Sequence, residues 1–227
     1  MEPQNKQMEY EKAMTYIFSM IQNGELSVGS KLPTERAIAE TLNIGRNSTR
    51  EALSILHGMG IINRVHGSGN YISERMNETF RQILIMMLAL GTITKKDVCE
   101  FRRTMEKATC SLLIKKGIRE EHKNIFEKNL KDIKNASDLN QAILDKEFHE
   151  LLMKESENTL LITIMEALMT VYREWIDEVL QKADKQKKEE FHLYHDGIYH
   201  GILQGNEEDV TTFIDKHYDL IEELIML

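Results

Sequence analysis

The sequence is poor in cysteine, proline and tryptophan: of its 227 residues, two are cysteine, two are proline and one is tryptophan. Cys99 and Cys110 fall in what the pattern predicts to be one helix, where they are not placed to bridge, so disulfide-rich secreted folds are excluded. The longest apolar run, Ile83 to Leu90, is too short to cross a bilayer, and the charged start MEPQNKQMEYEK has no apolar run of the kind a secretory signal needs. We therefore expect a cytoplasmic protein with free thiols.

Enzyme signatures are also missing, because the chain has no P-loop, no HExxH motif and no Ser–His or Cys–His pair that suggests a nucleophile. The net charge is −8, but residues 1–75 hold eight Lys/Arg and eight Asp/Glu, so the whole acidic surplus lies in residues 76–227. Between Lys31 and His66, five basic residues stand against three acidic ones. This weak basic bias is compatible with contact to phosphates.

Glycine and proline mark a change near residue 75. Seven of the twelve glycines and both prolines lie in the first 75 residues, whereas the rest of the chain runs as long segments of helical period. We expect a mainly α-helical protein of two domains, residues 1–75 and residues 76–227.

The first region has the pattern of a helix, a helix-turn-helix and a β-hairpin. One amphipathic helix is predicted to end at Gly24, a second to follow Pro33 and a third to start at Ser48, which has the spacing of a capping box with Glu51. Two short β segments, IINRV and NYIS, flank the turn HGSG. This order predicts a winged helix-turn-helix with a small hairpin wing.

A helix-turn-helix places the start of its second helix in the major groove of DNA. Arg46 and Arg50 lie one turn apart at that end, and an arginine fork matches O6 and N7 of guanine, so both are candidate base readers. The short donors suited to phosphate oxygens are Asn47, Ser48 and Thr49. His66 and Gly67 at the wing tip can approach the minor groove or its phosphates. The alternative is that these arginines are ordinary solvated surface.

The second region predicts an all-α antiparallel bundle of six or seven helices. Their expected positions are about 76–90, 94–116, 119–134, 137–155, 158–182, 187–204 and 207–226. The charged run KADKQKKEE, Lys182 to Glu190, is most simply a solvated loop between two of them.

The segment LDKEFHE puts Asp145 and His149 one turn apart, next to an apolar helix face, and His195 and His217 also fall on inward positions of their helices. One carboxylate and three imidazoles from three helices suit a divalent transition metal such as zinc, nickel or manganese. Three alternatives stay open: core histidines bonded to backbone carbonyls, a metal-dependent hydrolase that uses these four residues, and a metal with a purely structural role.

Two stretches resemble a known family. Leu32 to Ile72, with LPTER, an R-x-x-x-R-E-A-L recognition helix and the wing HGSGNYI, resembles the DNA-binding domain of GntR-type bacterial transcription regulators. DKEFH followed by HDGIYHGILQGNEEDVTTFIDKH resembles the FCD domain, the helical effector domain of the FadR subfamily. The family's metal-binding positions fall on Asp145, His149, His195 and His217. The helix FRQILIMMLAL ahead of them favours the seven-helix form.

The resemblance implies a homodimeric regulator, more often a repressor, that binds a near-palindromic DNA operator and responds to a small carboxylate effector held at a metal. It adds Arg36 to the expected DNA contacts. It places the family's R-x-x-x-E element at Arg102 and Glu106, so Arg102 is expected to bind the effector, with Arg103 as the fallback if the register is off by one. The alternative for Arg102 is a structural ion pair with Glu106.

Overall fold

The computed structural model of the chain describes residues 8–73, 76–136 and 138–226. It divides into two compact units, Met1–Phe80 and Arg81–Leu227, and the division falls inside a helix a few residues beyond the expected boundary. Each unit has its own hydrophobic core. Within the described ranges, every helix is too short or too polar to cross a bilayer.

The first unit is a winged helix-turn-helix. Its elements are α1 (Glu9–Gln22), α2 (Glu35–Leu42), α3 (Arg46–Gly58), β1 (Ile62–Val65) and β2 (Gly69–Ile72). Apolar residues at helical spacing bring one face of each helix into a common core. Its fully buried members are Ala13, Ile17, Ile38, Ala52, Leu53, Leu56 and Ile62. Burial stabilises the fold by about 1.5–3 kcal/mol for each large aliphatic side chain, so this cluster is the main support of the unit.

Helix α3 begins three residues earlier than the expected capping box requires. Its N-cap is Gly45, which has no side chain to cap with, and Ser48 lies inside the first turn. The Glu9 carboxylate at the start of α1 caps the helix instead, since its Oε2 accepts from the Gly45 N–H at 3.0 Å and from the Ser48 hydroxyl at 2.8 Å. A negative charge is favourable where the first N–H groups of a helix have no internal partner. The predicted Ser48–Glu51 capping box is wrong.

The wing is a tight antiparallel hairpin. Its strands pair from Ile62 opposite Ile72 to Val65 opposite Gly69. Gly67 at the tip has φ +71°, a left-handed conformation that glycine adopts without a steric penalty. The hairpin is tied to the segment before α2, because the Leu32 N–H donates to the carbonyl of Asn70 at 2.9 Å.

Seven helices follow in the described part of the chain: α4 (Met76–Ala89), α5 (Lys95–Lys116), α6 (Glu120–Asn135), α7 (Asp138–Glu155), α8 (Thr159–Lys182), α9 (Lys185–Gln204) and α10 (Glu207–Met226). Their bounds agree with the seven predicted segments to within two residues. A mainly α-helical chain, with a winged helix-turn-helix followed by a helical bundle, is confirmed.

Most of the charged run from Lys182 to Glu190, which was expected to be a loop, is helical, and Ala183 and Asp184 alone form the break between α8 and α9. Helix α9 begins at Lys185, and the Asp184 side chain caps it by accepting from the Lys187 N–H at 2.9 Å. Lys185 and Glu189 lie one turn apart, the spacing at which opposite charges support an exposed helix. The run therefore contains the short break between α8 and α9, but most of its charge lies on the first turns of α9.

Candidate DNA interface and metal centre

The candidate DNA-contacting residues lie at the start of α3, at the wing tip and on α2. Arg46 and Asn47 open α3 and are exposed, as are His66 and Gly67 between the two strands of the wing. Arg36 is exposed in the first turn of α2. These side chains are available to a partner.

Two of the arginines already contact carboxylates on the surface. Nε of Arg50 donates to Glu35 at 3.2 Å, and Nε of Arg36 donates to Glu40 at 2.8 Å. Exposed pairs of this kind are typically worth less than about 1 kcal/mol, so phosphates or base edges can replace them at small cost. Arg46 has no ion pair with any residue of the described ranges. Arg46 can therefore bind DNA without first breaking an ion pair.

The expected contact of Thr49 with a phosphate is wrong. It is fully buried, and its hydroxyl donates to the Gly45 carbonyl at 3.3 Å, so that hydroxyl is not available to a phosphate as expected. Its position on the inner face of α3 makes it part of the packing. Ser48 is half-buried and bonded to Glu9.

The four expected metal ligands converge inside the second unit. Asp145 and His149 lie on α7, His195 on α9 and His217 on α10, and none is more than 8% exposed. One potential ligand atom of each lies within 4.8 Å of the corresponding atom of every other. That separation is about twice a metal–nitrogen bond of roughly 2.1 Å, so a single ion can reach all four.

Most ring nitrogens of this cluster have no hydrogen-bond partner among the residues that the structure describes. They are Nε2 of His149 and both ring nitrogens of His195 and His217, all of them buried. Nε2 of His195 comes within 3.2 Å of Oδ1 of Asp145, but without forming a hydrogen bond. Leaving a buried polar atom unpaired costs about 1–3 kcal/mol. The alternative of core histidines bonded to backbone carbonyls therefore finds no support.

Behind His149 lies a carboxylate that sequence reasoning did not assign to this site. Glu106 on α5 is fully buried, and its Oε2 accepts from Nδ1 of His149 at 2.8 Å and from the Tyr218 hydroxyl at 3.0 Å. This contact places a proton on Nδ1 and turns Nε2 toward Asp145, which is how outer carboxylates orient metal-bound histidines. The only sequence signal for this role was the R-x-x-x-E spacing.

Burial and charge set the protonation of the cluster. Burial lowers the pKa of His149, but the Glu106 and Asp145 carboxylates outweigh it and raise this pKa to about 9. Burial raises the pKa of Asp145, but His149 and His195 beside it hold this pKa well below its usual value. Burial and the neighbouring imidazoles hold the pKa of His217 well below its usual value. Asp145 and His217 are thus in the forms that bind a metal, whereas His149 has to lose its Nε2 proton to solvent when an ion binds.

Arg102 lies beside the cluster, and two of its donors have no partner in the described part of the chain. It is 2% exposed, and its guanidinium lies 4.0 Å from the centre of the Tyr172 ring. Its Nε and Nη1 are buried without a partner. The Oε2 atom of Glu106 is occupied by His149 and Tyr218, and Arg102 forms no ion pair with it among the described residues.

Arg103 faces a different environment. Its Nη2 lies 2.7 Å from Asp219 and donates to Glu222 at 3.0 Å, both on α10. These partners satisfy its charge and tie α5 to α10. Of the two neighbouring arginines, Arg102 is the one next to the metal ligands.

A small cavity connects Arg102 to the cluster. It encloses about 290 Å³, including the part open to solvent, between α5, α7 and α8. Arg102 and Asp145 both line it, together with Lys146, Tyr172 and Arg173. Only about 20 Å³ of this space, room for about one water molecule, is free inside the cavity, so an effector would have to widen the cavity on binding.

Two protein families match the sequence. Residues 9–72 match the family described as "Bacterial regulatory proteins, gntR family", and residues 97–220 match the FCD domain. The first match covers the winged helix-turn-helix. The second covers most of the helical bundle and more than half of the chain.

Individual relatives agree with these matches over nearly the full length. The uncharacterized HTH-type transcriptional regulator YcbG of Bacillus subtilis is 26% identical over 222 residues, which are 98% of this chain and 92% of YcbG. The HTH-type transcriptional regulator LutR of the same organism is 28% identical over 211 residues, or 91% and 96% of the two chains. The solved structure of a Streptococcus agalactiae GntR matches with a TM-score of 0.68 and 24% identity, over 94% of this chain and 99% of that one. At that identity the structural likeness concerns the fold.

Proposed function

Because the chain belongs to the GntR family of bacterial regulators and carries an FCD domain, it is a DNA-binding transcription regulator, and we propose that a small carboxylate bound at a divalent metal controls its affinity for DNA. The proposed metal ligands are Asp145, His149, His195 and His217, and the proposed effector ligand is Arg102. The proposed DNA contacts are Arg36, Arg46, Asn47, Ser48, Arg50, His66 and Gly67. The family is one of regulators, so a metal-dependent hydrolase is set aside.

One observation carries the effector proposal: a buried guanidinium with two unpaired donors lines the same small cavity as the metal-ligand candidate Asp145. A buried charge without a hydrogen-bonded partner is strongly unfavourable. A carboxylate is the ligand that removes this penalty, because it accepts two hydrogen bonds from an arginine and carries the opposite charge. Stacking of the guanidinium on Tyr172 holds its plane in place for such a contact.

The donor set supports a transition metal over calcium or magnesium. Three imidazoles and one carboxylate suit zinc first and nickel or manganese next, whereas calcium and magnesium prefer oxygen donors. The unpaired buried ring nitrogens fit this choice, since a bound ion would satisfy one nitrogen of each of the three histidines. Four protein ligands leave room in a five- or six-coordinate shell, and there a bound ion would supply positive charge to an effector carboxylate.

Regulation requires that the effector bind one DNA-binding arrangement better than another. An effector can change operator affinity only by the ratio of its own affinities for the two arrangements. The proposed form is a homodimer on a near-palindromic operator, because two copies of a helix-turn-helix read two half-sites about one helical turn apart. Repression is the proposed role because it is the commoner one in the family that the sequence resembles. Transcription in vitro from the operator-bearing promoter, with and without the protein, decides the sign.

Isothermal titration of the metal-loaded protein with a panel of hydroxycarboxylates and dicarboxylates tests the effector proposal. At least one acid should bind and should shift operator affinity in a gel-shift series. Arg102→Gln should weaken that binding at least tenfold, since a charge-assisted pair to a buried arginine is lost. Arg103→Gln is the matched control, because it removes the adjacent arginine outside the cavity.

Two results would contradict the proposal. If no acid of the panel binds the metal-loaded protein, the metal is structural. If an acid binds but operator affinity stays constant at saturation, the site does not control DNA binding.

A further inference from the structure

Helix α4 and the turn that follows it expose large apolar side chains. Ile83, Met86 and Leu90, the last just beyond the helix, are 51%, 58% and 70% exposed, and Met87 beside them is half-buried. At about 100° per residue, these four positions fall within roughly 100° of one another around the helix axis. We call them the α4 stripe.

The α4 stripe does not face the core of its own bundle. Leu84 and Leu88 are the α4 residues that join this core, and Leu84 is 9% exposed. They lie on another side of the helix, about 130° from the centre of the stripe. Phe80 and Ile85 are 37% and 42% exposed on other sides of α4, so the helix is apolar nearly all round, whereas a helix that packs only on its own domain needs one apolar side.

The same segment carries no charge. From Ile83 to Thr94 there is no Asp, Glu, Lys, Arg or His over twelve residues, in a chain that is 29% charged. A solvated helix surface normally carries charges, and the core of a protein–protein interface is where they are depleted. The combination of exposure, apolar character and missing charge is typical of a covered surface.

We propose that the α4 stripe packs against the same stripe of a second copy of this chain, across a two-fold axis. This rests on the dimer of the proposed function and assigns its surface. A twofold contact uses one patch twice, so the patch must complement itself, as an uncharged apolar stripe does.

The available area supports a second copy as the occupant. At about 200 Å² for a fully exposed large side chain, the stripe presents on the order of 400 Å² per copy and 800 Å² per pair. A standard interface buries about 1,600 Å², of which roughly 56–65% is apolar. Two stripes therefore supply most of the apolar core that one such interface needs.

A pair of charge-introducing variants tests the assignment. Sedimentation velocity should show a dimer for the unmodified protein, and the double variant Ile83→Glu/Met86→Glu should raise the dimer dissociation constant at least about 100-fold, because it would bury four unpaired carboxylates. The control is Leu160→Glu/Leu193→Glu, which changes two leucines of similar exposure on α8 and α9, 69% and 56%, and should stay dimeric. Circular dichroism and metal content confirm that each variant is folded.

Disulfide trapping gives an independent test, because both native cysteines are buried and give little background. Ile83→Cys, Met86→Cys and Leu90→Cys are oxidised separately with diamide, and at least one should form a covalent dimer, since some residue of the stripe must lie near the axis. Leu160→Cys should remain monomeric on a non-reducing gel.

The proposal is overturned if the unmodified protein is monomeric at tens of micromolar, if the double-Glu variant stays a full dimer, or if no stripe cysteine cross-links. These outcomes are separate from failure of the effector proposal. Titration of the folded double-Glu variant with carboxylates tests effector binding in the cavity alone. Dimerisation of the unmodified protein tests the α4 stripe alone.

Discussion

The winged helix-turn-helix and the helical bundle place their candidate functional residues in opposite environments. On the first unit, Arg36, Arg46 and Arg50 are exposed and lie outside the hydrophobic core. In the second, Arg102 and His149 are each 2% exposed and lie among the core residues. The first unit therefore carries its recognition residues on a core that folds without them, whereas in the second the binding residues are part of the core.

This difference has an energetic consequence. Removing an exposed arginine leaves no buried group unpaired, so we expect its effect to appear in DNA binding alone. In the bundle, five ring nitrogens of the three metal-ligand candidates His149, His195 and His217 and two nitrogens of Arg102 are buried without a partner among the described residues, and each unpaired atom lowers the stability of the protein. Ligand binding and folding stability should therefore be coupled in the second unit and separate in the first.

Metal removal should give the largest effect. Saturation at about 1,000 times the dissociation constant stabilises a protein by about 4 kcal/mol, which for a unit of some 150 residues shifts the thermal midpoint by roughly 10 °C. Dipicolinate treatment of the metal-loaded protein should lower the midpoint of the bundle by about that much and leave the first unit unchanged. Differential scanning calorimetry resolves the two transitions, and readdition of zinc should restore the first scan.

The control for metal removal is His149→Ala/His217→Ala, which should give the same scan with and without the chelator. Equal shifts of both transitions, or no shift of either, would break the comparison between the two units.

Sequence reasoning reached the four-residue cluster because each ligand leaves a local signature. Asp145 and His149 share one helix at the spacing of a turn, and each of the other two histidines sits among apolar residues at helical period. A polar side chain on an apolar face needs a partner, so it can be noticed without any tertiary contact. That the four approach within 4.8 Å depends on how three helices pack, and only the structure supplies this.

Other features depend on contacts between distant residues and left no local trace. Glu9 caps α3 from 36 residues earlier in the chain, so the start of that helix was assigned to Ser48, the nearest capping residue in sequence. The choice between Arg102 and Arg103 depended on about 100° of rotation about α5, which corresponds to one residue of register. Thr49 looked like a phosphate donor because its hydroxyl is polar, and its burial followed from the packing of α3.

An exposed arginine should give the second-largest effect. Arg46→Ala should weaken operator binding by about 1–3 kcal/mol and relax the base preference at one position. Metal content and both thermal midpoints should stay the same, because this guanidinium has no partner in the described part of the protein. A gel-shift series over single-base operator variants measures both effects.

Lys216→Ala is the control for Arg46→Ala, since it removes the same charge from an exposed position on α10. If Arg46→Ala binds every operator variant as tightly as the unmodified protein does, Arg46 is not a base reader.

The smallest effects should come from two glutamates with the same role and different burial. Glu9 bonds the N–H of Gly45, the N-cap of α3, and Glu155 bonds the N–H of Arg119, the N-cap of α6, at 3.1 Å. Glu155 is 2% exposed and also accepts from the side chains of Arg119 and His122. Glu155→Gln should therefore destabilise the bundle by about 1–2 kcal/mol, or roughly 3–6 °C, whereas Glu9→Gln should lower the midpoint of the first unit only slightly.

The effects of Glu9→Gln and Glu155→Gln on stability should both decrease at acidic pH. Hydrogen bonds from Gly45 and Ser48 lower the pKa of Glu9. Burial raises the pKa of Glu155, but hydrogen bonds from Arg119 and His122 outweigh burial and leave this pKa lowered. Both groups titrate near 4.5 in the unfolded chain, so their stabilisation is complete above that pH and is lost as the pH falls through the lower folded values. The midpoint difference between each variant and the unmodified protein should be constant from pH 7 to about 5 and shrink below pH 4.5. If Glu155→Gln costs no more than Glu9→Gln at pH 7, burial does not set the cost of losing a polar contact here, and the contrast between the two units loses its physical basis.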